Sequence, residues 1–288
     1  MKKFLTLLLS LTLVVSMFTA CGKSDAAKDT TSEVTPTTAV AEPTAEATAA
    51  TTAKTGLAVI SSIAKSTSVG EADGLAQVDS TVVAVLVGAD GKILDCKIDA
   101  AQTKINFSAE GKLVTDIATI FKSKQELGTE YGMGTKSGIA KEWNEQADAF
   151  AAYIVGKTVE EVKGIAVNEE GVATEADLTS SVTIHIGDFI AAVDKAVANA
   201  QDLGASSTDK LGLAVTTDMS KSADASADAD GIAQAYSFYS AVTTDADGKI
   251  TSCTIDASQG TVNFDTKGVI TSDLTVAPQT KQELKEAY

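Results

Sequence analysis

The sequence predicts an α+β protein: an antiparallel sheet with helices packed on one face, repeated in tandem, with the second copy incomplete. The main observation is an internal alignment, in which residues 73–131 match residues 230–288 without a gap and 26 of the 59 paired positions are identical. Each copy opens with hairpin-like segments, and the first copy continues into segments of helical periodicity. Since solenoid units have only about 20–50 residues, a repeat this long indicates two tandem domains.

The first half of each copy is expected to be β-structure. In the first copy, segment 76–87 is rich in Val and Thr, and Asp90-Gly91 follows it. Asp-Gly between apolar runs is typical of a tight hairpin turn. We therefore expect segment 92–99 to return as the second strand, and a second hairpin to form around Glu110-Gly111.

The second half of the first copy is expected to be helical. One apolar stripe recurs at helical spacing through Trp143, Ala147, Phe150 and Ile154. A short helix is expected to begin at Thr158, which has capping-box spacing to Glu161. Segment 188–200 predicts a further helix. Its expected inward residues are Phe189, Ile190, Val193 and Val197.

The boundaries of the copies follow from a second recurrence, Gly56-Leu57-Ala58-Val59 and Gly212-Leu213-Ala214-Val215. We assign residues 56–203 to repeat 1, 204–209 to a linker and 210–288 to repeat 2. Because Tyr288 is the aligned partner of Tyr131, the counterpart of the helical half is not part of the second copy. Either the second copy is truncated in this sequence, which we favour, or its sheet takes a cover from the first copy or from a partner.

The first 20 residues have the features of a targeting segment. Lys2 and Lys3 precede an apolar run, 4–18, that is too short for a membrane span. The run leads into Phe18-Thr19-Ala20-Cys21-Gly22, which resembles the lipobox of bacterial lipoproteins. The resemblance implies a signal peptide, 1–20, and a diacylated Cys21 that anchors the protein on the extracytoplasmic face of the cell membrane. The alternative is an ordinary secretory cleavage site with a chance cysteine.

Residues 21–55 are expected to form a disordered tether. The segment consists largely of Ala, Thr, Ser and acidic residues and contains two of the three prolines of the chain. It has almost no large apolar side chains, so burial cannot offset its ordering entropy. The formal charge of −16 disfavours nucleic acid as a partner and also disfavours electrostatic adhesion to anionic lipid.

The two remaining cysteines, Cys96 and Cys253, occupy the same position in the two copies. Since side chains alternate along a strand, Cys96 shares a face with Leu94 and Ile98, and both thiols are expected to be buried. A reactive thiol or a metal ligand is the alternative. A disulfide within one copy is excluded, because each copy has a single cysteine.

No familiar catalytic constellation is present in the sequence, which contains a single histidine, His185. Nucleophile-elbow, CxxC, phosphate-loop and dinucleotide-binding motifs are absent. Asp90, Asp95 and Asp99 lack EF-hand spacing, so a solvated acidic face is expected there rather than a calcium site. Because no nucleophile and base can be paired, a hydrolase or another enzyme is disfavoured.

Two segments carry a resemblance to a known family. The hairpin 82–99 and the run Asp177-Leu178-Thr179-Ser180-Ser181-Val182-Thr183 are similar to the opening hairpin and the flavinylation motif of FMN-binding domains from bacterial surface flavoproteins and Na⁺-pumping oxidoreductase subunits. The resemblance implies FMN as cofactor, held on Thr183 through a phosphoester, with Asp177 and Ser180 as further motif residues. It also implies a redox partner. Ser181 and Val182 stand where the family has Gly and Ala.

Two functions follow from these observations. The first is a lipid-anchored electron carrier with FMN and no substrate site of its own. The second is a surface lipoprotein that binds a non-flavin ligand or a partner on the same fold. Tyr131, Trp143 and Tyr153 are candidates for stacking on a flavin ring, although a core position is favoured for Trp143. The Lys-Gln-Glu-Leu run at 124–127, which recurs at 281–284, marks either a shared binding edge or a helix start.

Overall fold

Two antiparallel sheets form the framework of the chain in this computed structural model, which describes residues 50–288. The first sheet has the order β1-β2-β3, and the second has the order β4-β5-β6-β7. The strands are β1 (Ala53–Ser62), β2 (Gly74–Gly88), β3 (Ile93–Phe107), β4 (Ile120–Phe121), β5 (Lys210–Asp218), β6 (Gly231–Thr244) and β7 (Ile250–Phe264). The helices are α1 (Lys124–Leu127), α2 (Trp143–Ile154), α3 (Val159–Lys163), α4 (Ala176–Thr179), α5 (Gly187–Ala198) and α6 (Lys281–Leu284). The α+β class is therefore confirmed.

The hairpin predicted at Asp90-Gly91 joins β2 to β3. Gly91 has a φ of +80°, which a residue with a side chain rarely adopts. The second predicted hairpin is wrong in its extent, because Lys104 to Phe107 continue β3 and the turn at Gly111 returns only as an isolated bridge between Phe107 and Leu113. A single long strand satisfies the backbone through its ladder with β2.

The amino-terminal end of β1 corrects the predicted tether boundary at residue 55. Ala53 pairs with Gly88 and is buried, and the Thr55 hydroxyl lies 2.7 Å from the Ser252 hydroxyl of the second sheet. Alanine and threonine suit a disordered segment in isolation, but here tertiary burial orders them. The predicted tether up to residue 49, with the lipidation site Cys21, and the predicted signal peptide 1–20 lie outside the described residues.

Helices α2 and α5 pack on one face of the first sheet. The predicted stripe of α2 is confirmed, since Trp143, Ala147, Phe150 and Ile154 are all buried. On α5 the most buried residues include Ala192 and Ala196, whereas Ile190 and Val197 are only partly buried. These alanines let the helix approach the sheet so closely that a Cβ at Gly56 would overlap the Ala196 carbonyl oxygen.

The opposite face of the first sheet packs against the second sheet. Within this contact, at the ends of β3 and β7, the Phe107 and Phe264 rings stack, with centroids 4.2 Å apart and planes 8° from parallel. Phe107 and Phe264 are aligned positions of the sequence repeat. The first sheet is thus buried on both faces, and this explains why the whole run 82–87 of β2 is buried rather than alternating.

Backbone contacts at the edge of the interface also occur in aligned pairs. The Val69 N–H donates to the Gly268 carbonyl at 2.9 Å, and the Ala225 N–H donates to the Gly111 carbonyl at 2.8 Å. Gly268 is the aligned partner of Gly111. At both glycines an added Cβ would collide with the opposite segment, so the two sheets approach each other as closely as a glycine permits.

The segment between the two sheets is packed into the interface. Ala205 is buried within the apolar cluster between the sheets, and Ser206 forms an isolated bridge to Thr52. The Ser206 N–H donates to the Asp209 carboxylate at 2.9 Å. The short strand β4, which follows the first sheet in sequence, adds to the second sheet beside β5.

Cys253 corrects the prediction that both thiols are buried. Cys96 is buried under α2 and α5, whereas Cys253 is exposed. The reason is that the outer face of the second sheet carries no helices in the described part of the chain. Burial raises the pKa of the Cys96 thiol, and the neighbouring Asp95 adds to the effect.

The recurring Lys-Gln-Glu-Leu run marks a helix start in both places. Ser123 and Glu126 form a capping box at α1, and Thr280 and Glu283 form the same box at α6. Behind each box, a backbone N–H donates to a carboxylate on the sheet: Gln125 to Asp99 and Gln282 to Asp256, each at 3.1 Å. Each run therefore begins a short helix that is hydrogen-bonded to a sheet, α1 to the first sheet and α6 to the second.

Replacing Gly56 with alanine tests the close packing of α5. We expect Gly56→Ala to lower the free energy of unfolding by about 1–3 kcal/mol, because the new methyl group forces the helix away from β1. The matched control is Gly212→Ala on β5, where the nearest atom to an added Cβ is the Val242 carbonyl oxygen at 3.7 Å. We expect the control to stay within about 0.5 kcal/mol in urea unfolding. Equal effects would contradict the packing.

A double-mutant cycle tests the stacked phenylalanines. We expect Phe107→Leu and Phe264→Leu to be non-additive, with a coupling of about 0.5–1.5 kcal/mol, because each ring is the principal stacking partner of the other. Phe150 lies in the separate core under the helices, so Phe150→Leu serves as the control. Combined with Phe264→Leu, it is expected to be additive within about 0.5 kcal/mol in urea unfolding.

Candidate functional site

An open cleft of about 690 Å³ lies where α2, α5 and the loop before α5 meet the first sheet. Its size is typical of sites for cofactors and other small molecules. The cleft is lined by Lys65, Thr81, Ala100, Lys124, Met133, Trp143, Thr183, Ile184, His185, Asp188 and Phe189. It therefore combines an apolar lining with basic and hydroxyl side chains at its edge.

Thr183 is presented to this cleft by the loop between α4 and α5. Leu178, Val182 and Ile186 of this segment are buried and fasten it to the core under the helices. Thr183 lies between these anchors and is exposed. The hydroxyl is therefore fixed in place by its neighbours and still accessible from solvent.

A buried glutamine orients Thr183. The Gln146 side-chain oxygen accepts a hydrogen bond from the Thr183 N–H at 2.9 Å and another from the Thr183 hydroxyl at 3.2 Å. The Gln146 amide nitrogen donates to Ser137 Oγ at 3.2 Å and to the Lys141 carbonyl at 3.0 Å. Since the donors and the acceptor of this fully buried amide are used, its orientation is set by the fold.

The apolar lining of the cleft includes Trp143, which is only 5% exposed. Its ring meets Phe189 edge to face, with centroids 5.8 Å apart. The Lys124 ammonium lies 5.0 Å from the centroid of the Trp143 ring and 4.7 Å from that of Tyr131. Trp143 is thus a core residue, as favoured from the sequence, and it also contributes to the cleft. Tyr131 packs at the edge of the same core.

The edge of the cleft is more basic than the protein as a whole. Lys65, Lys124 and His185 line it, opposed by the Asp188 carboxylate, in a chain whose formal charge is −16. Lys65 forms an ion pair with Asp79 at 3.0 Å. Partial burial would raise the pKa of Asp79, but hydrogen bonds from Gln77, Lys65 and Gln102 outweigh this and lower it.

Only one of the three residues of the flavinylation resemblance lines the cleft. Thr183 does, whereas Asp177 and Ser180 are exposed on α4 and at its carboxyl end and do not line it. Tyr153, a sequence candidate for stacking, also lies outside the lining. Its hydroxyl donates to Glu175, and this hydrogen bond raises the pKa of Tyr153 to about 12.

The two departures from the family motif fit the local backbone. Val182 points into the core, where it is fully buried, so it adds no bulk to the surface beside Thr183. Ser181 is not among the residues with positive φ, so its position requires no glycine for conformational reasons. The loop therefore holds Thr183 in the cleft with the side chains that it has.

Gln146 is the functional candidate that the sequence analysis missed. It follows Trp143 by three residues and therefore lies on the apolar side of α2. A glutamine on such a stripe needs buried hydrogen-bond partners, since an unpaired buried amide is costly. A polar residue on the apolar stripe was therefore the available signal, but it could not identify Thr183 as the partner, because Thr183 lies 37 residues away along the chain.

Asp90, Asp95 and Asp99, for which the sequence predicted a solvated acidic face, form contacts within the fold. Asp90 caps the hairpin by accepting from the Lys92 N–H, and Asp95 pairs with Lys97 at 2.9 Å. Asp99 is largely buried, which raises its pKa. Within residues 50–288 we find no group of three or more His, Cys, Asp or Glu side chains that could hold a metal ion.

Two further observations apply to the same residues. No helix in the described part of the chain is both long enough and apolar enough to span a membrane. Comparison with family models, with curated proteins and with solved structures found no match to this chain.

Proposed function

We propose that this protein is a lipid-anchored, extracytoplasmic electron carrier that holds FMN on Thr183. In this proposal residues 1–20 are removed as a signal peptide, Cys21 is diacylated, and the tether places residues 53–288 away from the cell membrane. The folded part consists of two homologous repeats, and repeat 1 carries the cofactor. The protein acts through a redox partner and has no substrate site of its own.

The observation that carries the proposal is the position of Thr183. The motif resemblance was read from sequence alone, and its acceptor residue lines a cleft of about 690 Å³ beside a tryptophan and two lysines. An acceptor for covalent modification has to be reachable by a modifying enzyme, and Thr183 is exposed. An acceptor buried in the core would have contradicted this role.

The residues around Thr183 suit a phosphorylated aromatic ligand. Lys65, Lys124 and His185 offer hydrogen-bond donors to a phosphate, while Asp188 and the ion pair of Lys65 with Asp79 offset part of the positive charge. Trp143 and Phe189 supply aromatic surface for a planar ring. FMN bound there would supply one-electron and two-electron transfer. Gln146 accepts from the Thr183 N–H and hydroxyl and so orients the residue before modification; after a phosphoester forms, the N–H bond alone remains to hold it.

The same geometry argues against nucleophilic hydrolysis at Thr183. A catalytic hydroxyl needs a base to take its proton. Among the described residues, the hydrogen-bond partner of the Thr183 hydroxyl is the neutral amide oxygen of Gln146. An amide orients a hydroxyl but does not remove its proton at neutral pH. Thr183 is therefore better suited to carry a group than to turn over a substrate.

A second function, partner binding without flavin, is favoured by one separate observation. The outer face of the second sheet exposes Phe238, Ile250 and Ile255, and monomeric proteins rarely leave such a face open without use. This face belongs to the other sheet and does not depend on the cleft. Either function can therefore hold without the other.

Covalent flavin on Thr183 is directly measurable. When the full chain is produced together with a flavin transferase, we expect a yellow protein whose intact mass is increased by one FMN group. Thr183→Ala should abolish both signals, and Thr183→Ser should keep them because the hydroxyl remains. Thr174→Ala, at an exposed threonine outside the cleft, is the matched control and should remain yellow.

A colourless protein of unmodified mass would contradict the covalent proposal, provided that the same transferase modifies an accepted substrate in the same cells. If FMN added to that purified protein binds in equilibrium dialysis and Thr183→Ala leaves binding intact, the cleft is a non-covalent site. If no binding is detected, the cleft is not a flavin site.

The positioning role of Gln146 predicts two separable effects. Gln146→Leu leaves the Thr183 N–H without its acceptor and should lower the free energy of unfolding by about 1–3 kcal/mol in urea. It should also lower flavin occupancy in cells grown at a temperature where the variant is fully folded. Gln146→Glu restores the acceptor for Thr183 but cannot donate to the Lys141 carbonyl, so occupancy should recover only in part. If occupancy follows stability alone in both variants, Gln146 is only a core residue.

A further inference from the structure

The outer face of the second sheet is open in the described part of the chain. Phe238, Ile250 and Ile255 are 43%, 62% and 61% exposed, and the thiol of Cys253 is exposed beside them. The inner face of the same sheet is filled by the contact with the first sheet. The open face is therefore a sheet surface with exposed apolar side chains and no covering layer among the described residues.

The equivalent face of the first sheet shows which kind of element packs on such a surface. Ile93, Cys96 and Ile98 align with Ile250, Cys253 and Ile255, and all three are buried under α2 and α5. The apolar residues have thus been kept in the second sheet at positions where the first sheet needs them for a helical cover. Exposure to water alone gives no reason to keep them.

The small residues of β5 indicate the kind of helix that fits. Gly56 and Ala58 of β1 lie under α5, and a Cβ at Gly56 would overlap the Ala196 carbonyl. Gly212 and Ala214 of β5 are their counterparts and are exposed, with nothing closer to an added Cβ at Gly212 than the Val242 carbonyl oxygen at 3.7 Å. The strip along β5 therefore has room for a helix with alanines on its apolar side.

Polar groups beside β5 define the flank of that helix. In the first sheet the Lys195 ammonium of α5 donates to the Val59 carbonyl at 2.7 Å and pairs with Glu283 of the α6 capping box at 2.5 Å. The aligned groups beside the second sheet are Val215 of β5 and Glu126 of α1. They line one cleft of about 380 Å³, so a carboxylate is placed for a lysine that the described residues do not supply there.

We propose that the outer face of the second sheet is a docking site for an amphipathic α-helix of a further polypeptide segment, built like α5. The helix lies along β5 with alanines over Gly212 and Ala214. A lysine on its flank reaches the Val215 carbonyl and the Glu126 carboxylate. Bound in this way it covers Cys253, as α2 and α5 cover Cys96. The site is independent of the cleft at Thr183.

A graft tests this directly. Residues 132–203 are appended after Tyr288 in the full chain carrying Cys21→Ser, because Tyr288 aligns with Tyr131 and the graft then follows in register. The appended residues contain no cysteine, so Cys96 and Cys253 are the only thiols. In the ungrafted chain we expect Cys253 to react with a maleimide and Cys96 to be protected. In the grafted chain the labelling rate of Cys253 should fall at least about tenfold.

Two variants separate docking from general stabilisation. Gly212→Val fills the strip along β5 and should restore fast labelling of Cys253 in the grafted chain. Glu126→Gln removes the charge but keeps a capping-box side chain at α1, so it should weaken protection in the grafted chain without affecting the ungrafted one. Fast labelling in a graft whose added residues are helical by circular dichroism would overturn the proposal.

A peptide keeps the test decisive if the graft does not fold. A fluorescent peptide of residues 184–203 is titrated into the ungrafted chain, and we expect saturable binding that Gly212→Val abolishes and Glu126→Gln weakens several-fold. No binding overturns the proposal. Two other results would also overturn it. If protection of Cys253 rises with protein concentration and the mass doubles, a second copy is the occupant. If phosphatidylglycerol vesicles protect Cys253, a bilayer is the occupant.

Discussion

The contact between the two sheets is the interaction on which the rest of the structure depends. The stacked Phe107 and Phe264 rings and the paired hydrogen bonds at Gly111 and Gly268 hold two three-stranded meanders face to face. A sheet buries an apolar face only when another layer packs on it. The contact between the meanders buries one face of each, and in the described part of the chain helices cover the outer face of the first sheet but not that of the second. The two halves of the molecule are therefore alike inside and unlike outside.

This difference determines where a ligand can be held. On the covered side, Trp143 of α2 and Thr183 of the loop before α5 line one cleft, and Gln146 of α2 holds Thr183 from 37 residues away in the chain. The loop that carries Thr183 is fixed by buried side chains on both sides of it, so the position of the hydroxyl depends on the same core that packs on the first sheet. In the described part of the chain the open side carries exposed apolar side chains and, beside β5, a smaller cleft of about 380 Å³. We propose a small ligand for the covered side and a macromolecule for the open side.

The sequence predicted local structure better than it predicted contacts. The Asp90-Gly91 turn, the stripe of α2 and the capping box at Thr158 each depend on residues within one turn or one helix, and all three are confirmed. The sheet-to-sheet contact could not be predicted, because a fully buried strand such as β2 gives no alternation to read. The exposure of Cys253 was missed because both cysteines stand between the same aligned isoleucines, Ile93 and Ile98 or Ile250 and Ile255, and the presence of a helical cover cannot be predicted from these residues. Gln146 was missed because its partner is distant in the chain.

The pattern of change between the aligned strands supports a use for the open face. A surface adapted only to water would be expected to lose its apolar side chains throughout, and part of this face has done so, since Ser240 and Thr244 stand where the first sheet has Val83 and Val87. The glycine and alanine of β5 and the isoleucines of β7 have instead been kept. The counterparts of these residues lie under helices in the first sheet. Glu126 lies beside them, and both Glu126 and its aligned partner Glu283 take part in a capping box. Val83 and Val87 also lie under helices in the first sheet, so the retained residues form only part of the surface that α2 and α5 cover there. The retained part is the strip along β5 and β7 on which the docking proposal rests.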